Sequence, residues 1–330
     1  MKAEKPIIES DKEPGAPHPR ETYAFAGHDS EEQALADALA GPRMHHAWLI
    51  AGAKGLGKAT MAYRFARAAL GAHPIGPRPL DVDPEDPIAR KVAALSHPDL
   101  FVLRRGVNDW GKARREIAVD DARELGGFFS LAPSQGGMRV AIIDAVDDLN
   151  TNSANAILKT LEEPPARSVL LLVCHAPGAA LATIRSRCRR LTLRPLESAA
   201  VRVALGADDE ALLRLAKGRP GRAIALRAQG VDGAKLETAL SAFQRGDSRA
   251  ALHSLYDQMS GEAYEKLAGV LELAGEWTRA AGAESASEAW ADAWSALETL
   301  RGEAEGLDMD PRHALARAVG VLDRAAGARR

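Results

Sequence analysis

One stretch, Gly52-Ala53-Lys54-Gly55-Leu56-Gly57-Lys58, constrains this chain more than any other. It follows a short apolar run, Ala47-Trp48-Leu49-Ile50, and leads into helical spacing that begins near Lys58. Strand, glycine-rich turn and helix form the context a phosphate-binding loop requires. Glycines let the backbone turn tightly, so that its N–H groups and the helix N-terminus face an anion. Lys58 adds a point charge for the outer phosphates.

A second stretch, Val140-Ala141-Ile142-Ile143-Asp144, reads as an apolar strand ending in a carboxylate. That is the usual place for the acid that holds a nucleotide's magnesium. Gly52, Gly55, Gly57, Lys58 and Asp144 are therefore the candidate nucleotide-binding residues. Both stretches are incomplete. The full loop motif has Ser or Thr after its lysine, because that hydroxyl ligates magnesium. Here Ala59 follows, and Thr60 comes one residue too late. After Asp144, an ATPase of the oligomeric motor type needs a glutamate to polarise water, and here Ala145 follows. Losing a positioned general base costs roughly 10²–10⁴-fold in rate. The site is expected to be degenerate: binding remains open, efficient hydrolysis does not.

Composition excludes several classes. The chain of 330 residues has room for two or three domains. Its 43 Lys+Arg against 45 Asp+Glu leave no global charge to draw it to nucleic acid or a membrane. Cys174 and Cys188 are the only cysteines, too few for a disulfide scaffold or a cysteine zinc site. No apolar run reaches the ~18 residues of a membrane span, and no signal-peptide core stands at the start. A cytoplasmic protein with reduced thiols is expected.

Residues 1–20 hold four prolines and many charges, and are expected to form a disordered tail. Ala34, Leu35, Ala38 and Leu39 recur at helical spacing, with Ser30 placed as a cap and Gly41-Pro42 as a stop. His45 and His46 precede the first strand without a second ligand cluster, which favours a structural role. A helix from Lys58 to about Leu70 follows, then residues 71–90 with five prolines, read as a surface insertion. Phe101-Val102-Leu103 is a second strand. Arg104, Arg105, Lys112, Arg114 and Arg115 surround Trp110, a loop that is either solvated or able to hold single-stranded nucleic acid. Val119–Phe129 reads as a helix. After the acidic strand, the run Leu149–Pro165 reads as a helix whose polar start offers caps, with Ala154, Ile157, Leu158 and Leu161 on one face and Pro164-Pro165 as its stop. Ser168–Cys174 suits a strand buried on both faces, and Leu191–Leu193 a last short strand. The alternation predicts an α/β fold with a parallel sheet and helices on both sides. Beyond Pro195 everything reads helical, with Trp290 and Trp294 one turn apart and read as packing residues.

Three stretches together resemble one family. Asp144-Ala-Val-Asp-Asp-Leu-Asn150 running into Asn155-Ala-Ile-Leu-Lys-Thr-Leu-Glu-Glu-Pro-Pro165 resembles the AAA+ clamp-loader subunits of bacterial DNA polymerase III. So do Thr183-Ile-Arg-Ser-Arg-Cys188 and His46-Ala-Trp-Leu-Ile50 before the loop. Ala59 and Ala145 make the resemblance closest to the delta-prime type. It covers about residues 25–230; the remainder agrees only in being helical.

The resemblance implies an AAA+ P-loop domain over 21–195, a small helical lid over 196–232 and an all-α collar over 233–330. It implies a ring of subunits that opens the sliding clamp and places it on primed DNA in replication. Implied partners are the catalytic gamma/tau subunits, the delta subunit, the clamp and the DNA, with no membrane. Within that polymerase III holoenzyme, a DNA-directed DNA polymerase, the chain is expected to lack ATPase activity of its own. Arg187 of Ser186-Arg187-Cys188 is the implied arginine finger, donated in trans to a neighbour's ATP. Such fingers are worth roughly 10³–10⁵ in rate. Departures from the family pattern point the same way. The cysteines of the family's zinc module are missing, so no zinc is expected. Cys174-His175 stands where catalytic members have a Thr or Ser sensor, and Gly221 stands where they have a lid arginine, with Arg222 one residue on. No cofactor is required on this reading, although weak or structural ATP or ADP stays open. Two other readings remain: a clamp-loader ATPase subunit using Thr60 or Asp147, and a stand-alone P-loop kinase or ATPase.

Overall fold

The computed structural model describes residues 9, 11–13, 16–42, 44–108, 114–134, 137–178, 180–244, 250, 267, 270–279, 288–307 and 309–327. Trp110 and Lys112 of the basic loop lie outside them. Contacts group the chain into two units: residues 1–13, 17–204 and 219–221, and residues 14–16, 205–218 and 222–330. The 196–232 stretch expected as a lid is thus shared between two units.

The first unit is built on five parallel strands: β1 (Ala47–Ala51), β2 (Leu100–Arg104), β3 (Arg139–Asp144), β4 (Ser168–Cys174) and β5 (Arg189–Thr192). Their spatial order is β2-β3-β4-β1-β5. Side chains alternate across a pleated strand, so apolar runs such as Val169–Val173 feed two cores. Trp48, Ile50, Val140, Ile142, Val169 and Leu171 face one side. Leu49, Ala141, Ile143, Leu170 and Leu172 face the other. Around them pack α1 (Asp29–Ala40), α2 (Lys58–Ala69), α3 (Pro87–Ala93), α4 (Val119–Ser130), α5 (Thr151–Glu162) and the single-turn α6 (Ala182–Arg185).

The structure departs from expectation in four places. Ser30 is not the cap of α1; the helix starts at Asp29 after His28, and Ser30 sits in the first turn beside Glu31. Asp29, Glu31 and Glu32 there suit the helix's positive end better than one hydroxyl would. The last strand starts at Arg189, because β5 is an edge whose exposed arginines carry no apolar signal. The proline-rich insertion contains α3, whose Pro87 occupies the first turn, where no N–H is needed. Asp86 caps it by accepting from Ile88 N and Ala89 N at 2.7 and 3.3 Å.

The fourth departure is the tail. Pro19–Glu21 forms a 3₁₀ turn capped by His18, which is buried, and Asp11 has a side chain with no exposure at all. Glu9, Asp11, Glu13 and Arg20 are held by ion pairs, which composition alone does not reveal, while residues 1–8, 10, 14 and 15 of the expected tail lie outside the described residues.

A buried polar network ties the insertion to the helices. Glu32, fully buried on α1, accepts from Arg64 Nη2 of α2 at 2.5 Å and from Arg78 Nε at 2.6 Å. Arg64 Nη2 also donates to Asp81 at 2.6 Å.

The second unit is helical. Its core gathers Leu212, Leu226, Leu236, Leu271, Trp290, Leu297, Leu315 and Leu322 from helices including Gly233–Gln244, Glu288–Leu307 and Pro311–Gly327. Trp290 packs edge-on against Trp277 at 4.8 Å. Trp294 is 37% exposed, with Arg279 stacked 5.2 Å from its ring. Among the described residues, no helix is long and apolar enough to cross a membrane.

Candidate nucleotide site and arginine rim

The glycine loop stands where the sequence places it, between the end of β1 and the start of α2. Gly57 caps α2 with φ +85°, and a Cβ there would sit 2.8 Å from Phe25. Only glycine fits both the left-handed backbone and that gap. At Gly52 a Cβ would meet Leu193 O at 2.5 Å, so the loop's entry is equally closed to a side chain.

Lys58 is buried, and its ammonium donates to Ala53 O of the same loop at 2.7 Å. Burial lowers its pKa to about 8, against the opposing pull of Asp144 and Asp147. Asp144 ends β3 and is buried. Desolvation raises its carboxyl to about 7, and the nearby charge of Asp11 adds to this while Lys58 opposes it.

The degenerate positions sit beside these groups. Ala59 packs against the core, and Ala145 is 2% exposed within it. Neither methyl can ligate a metal or take a proton. Asp147, a possible substitute base, is engaged elsewhere. Its two oxygens accept from His175 N at 2.6 Å and Ala176 N at 2.7 Å, tying off the end of β4. His175 is held neutral by burial and by the Lys58 charge, its pKa lowered to about 3.

Gly221, where the sequence resemblance implies a lid arginine in catalytic members, donates its N–H to Gly55 O at 2.8 Å. A Cβ there would lie 3.1 Å from that oxygen, so the close approach excludes a side chain without displacement of the loop. Arg222 pairs with Glu276 in the helical unit.

The raised Asp144 carboxyl has a thermodynamic consequence. Between pH 4 and 7 the folded chain keeps a proton that the unfolded chain, near the ordinary 3.8, gives up. Stability from this group therefore falls as pH rises through that window and stays lost above it. The loss amounts to about 4 kcal/mol at 1.36 kcal/mol per unit. In melts taken at pH 5 and pH 8, Asp144→Asn is expected to lose less stability between the two than the wild type does. Parallel slopes would show that Asp144 is not the group responsible.

Arg187 lies at the other end of the sheet. It follows α6 and precedes β5, whose Arg189 pairs in register with Trp48 near the start of β1. The glycine loop leaves the far end of β1. Five strand residues at ~3.3 Å each put the arginine on the opposite rim from its own phosphate loop. The guanidinium is 34% exposed, with Nη2 on Glu162 Oε1 at 2.7 Å and Nη1 on Thr183 O at 2.9 Å. Glu162 ends α5 and belongs to the Leu-Glu-Glu-Pro-Pro run; the sequence marks the run but not its pairing with Arg187.

The paired histidines act on backbone. His45 Nδ1 lies 2.8 Å from Ala47 O and His46 Nε2 lies 3.1 Å from Leu161 O. Among the described residues, no group of three or more His, Cys, Asp or Glu is arranged to hold a metal. Of the basic loop, Arg104 meets Asp11 and Arg105 meets Asp148, so these two side chains are engaged within the protein.

A family model described as "DNA polymerase III, delta subunit" matches residues 27–197. The chain belongs to that family. It is 38% identical over 170 residues to the DNA polymerase III subunit delta' of Pseudomonas aeruginosa, covering 51% of this chain and 49% of that one. It is 33% identical over 178 residues to the subunit tau of Escherichia coli, covering 54% and 26%. The matched stretch thus spans about half the length of the delta' relative or less of the tau relative. A gamma subunit-related protein of Thermotoga maritima superposes with a TM-score of 0.50 at 16% identity, over 89% of this chain and 99% of that one. That likeness concerns the fold, an AAA+ P-loop domain with a helical C-terminal region. The matched residues 27–197 include the loop, Asp144 and Arg187.

Proposed function

We propose that this polymerase III family member is a non-hydrolysing subunit of a clamp loader. On this reading it is a rigid member of a ring with gamma/tau and delta subunits that opens the sliding clamp on primed DNA. Arg187 enters the ATP site of an adjacent catalytic subunit as its arginine finger. The observation that carries this is the position of Arg187: exposed, held by Glu162, and on the sheet rim away from its own phosphate loop. A guanidinium there serves a neighbour's nucleotide, where its fixed charge offsets the charge developing on the transferred phosphoryl group.

The chain's own loop supports the other half. Ala59 offers no hydroxyl to magnesium, Ala145 no base, and Gly221 no guanidinium, while Asp147 is committed to two backbone N–H groups. The reading in which Thr60 or Asp147 restores turnover finds no support in that arrangement.

The test is steady-state phosphate release with ATP, clamp and primed DNA. The chain alone is expected to be inert, and adding it to gamma/tau and delta subunits is expected to raise turnover and complete clamp loading. Phosphate release by the isolated chain that disappears in Lys58→Ala would make it an enzyme and overturn the proposal.

A further inference from the structure

The acidic residues before the first helix lie on the basic side of the nucleotide site. Lys54, inside the glycine loop, has its ammonium 2.6 Å from Glu13 Oε1. Arg104 ends β2 directly beside Asp144 in the strand register, and its guanidinium meets Asp11 and lies 3.3 Å from Glu9. Arg20 Nη1 holds Glu9 from behind at 2.7 Å. His18 Nε2 stands 3.4 Å from Asp11 and 3.5 Å from Glu9. The segment is therefore pinned at both ends, by the 3₁₀ turn on one side and by the loop lysine on the other.

The Asp11 side chain is entirely buried, and its Oδ2 finds no hydrogen-bond partner among the described residues. A buried carboxylate oxygen without a donor is costly unless cations close by compensate it. Its charge is also the largest charge contribution pushing the Asp144 carboxyl upward, which places it within electrostatic reach of the site's own acid. Lys58 meanwhile is turned onto Ala53 O rather than toward an anion.

From this placement we propose that Glu9, Asp11 and Glu13 form an internal anion that occupies the electrostatic place of a nucleotide's phosphates and competes with them for the glycine loop. A tethered competitor acts at an effective concentration in the millimolar range, so even a modest internal affinity masks a weak external one. The ligand class excluded is a polyphosphate, whether a nucleoside triphosphate or free pyrophosphate. This device concerns the chain's own loop and does not rest on the role of Arg187.

The test uses the full chain and an ATP analogue with a fluorescent ribose label. Neutralising the segment (Glu9→Gln, Asp11→Asn and Glu13→Gln together) is expected to lower the Kd at least about tenfold. Adding Lys58→Ala to that variant is expected to remove the gain. An unchanged Kd in a variant with wild-type circular dichroism, or a gain that survives Lys58→Ala, would overturn the proposal. Since the triple change also strips Arg104 and Arg20 of partners, a second measurement uses wild-type protein. Millimolar pyrophosphate is expected to speed amide hydrogen exchange over residues 9–20, whereas sodium chloride at matched ionic strength is not. Equal exchange in the two salts would sink the idea even if the variant failed to fold.

Discussion

Replacing Arg187 by alanine is expected to lower ATP turnover in the assembled clamp loader by roughly 10³-fold at the site it serves, while leaving assembly intact. Arg187 is a third exposed and its guanidinium meets the polar groups Glu162 and Thr183 O, so the change removes a surface charge. Its pairing with Glu162 is half exposed, and surface ion pairs contribute little to stability. The melting temperature of the isolated chain should therefore stay close to wild type. Arg187→Lys is expected to recover little, because a lysine keeps the charge but loses the planar fork that meets two phosphate oxygens. Phosphate release under single-turnover conditions, with assembly followed by analytical ultracentrifugation, separates the outcomes. Unchanged turnover in a fully assembled complex would assign the finger to another residue. If the other interfaces of the ring carry their own arginines, the steady-state loss is diluted, and single turnover still reports the affected site.

The second large effect concerns folding. Glu32→Ala is expected to destabilise the sheet-containing unit by about 3–5 kcal/mol, the usual cost of removing one member of a buried ion pair. The substitution leaves Arg64, 2% exposed, without its fully buried partner and leaves Arg78 tied to α1 through Asp29 and no longer through Glu32. Glu32→Gln keeps an acceptor in place and should cost less. Urea unfolding followed by circular dichroism measures both, with the transition of the first unit resolved from that of the helical unit. Equal, small losses for the two variants would show that Asp81 alone satisfies Arg64. The consequence reaches function, since α2 carries the glycine loop at its N-terminus and the network fixes where that helix lies.

Much of this protein was legible in one dimension. Runs such as Ser168–Cys174 and Val140–Ile143 are apolar on both pleat faces, and only a parallel strand covered by helices on each side buries them fully. The polar start of the 149–165 run announced a capped helix, and the structure gives the cap to Asn150, whose side chain accepts from Asn152 N and Ser153 N, both at 3.0 Å. The glycine loop, the acid at the end of β3 and the alanines after Lys58 and Asp144 are local patterns, and local patterns survive translation into structure. Edges and tails were less legible. The sequence marks β5 only from Leu191, and pairing with β1 extends it back over Arg189 and Arg190, which no periodicity marks.

What the sequence by itself determined, then, was the order of elements and which chemical groups are missing from the site. The tertiary structure decided what the remaining charged groups do. Asp147 could have been read as a base until the end of β4 brought two N–H groups to it. Lys58 turns to the loop's own carbonyl, Arg187 to Glu162 twenty-five positions away in the chain. Glu13 settles on Lys54, and Arg64 gathers Glu32 and Asp81. The physical reason is that backbone propensities and apolar periodicity act within a few residues, so sequence displays them. A charged side chain takes whichever partner the folded chain carries into reach, and burial then sets the strength of that choice.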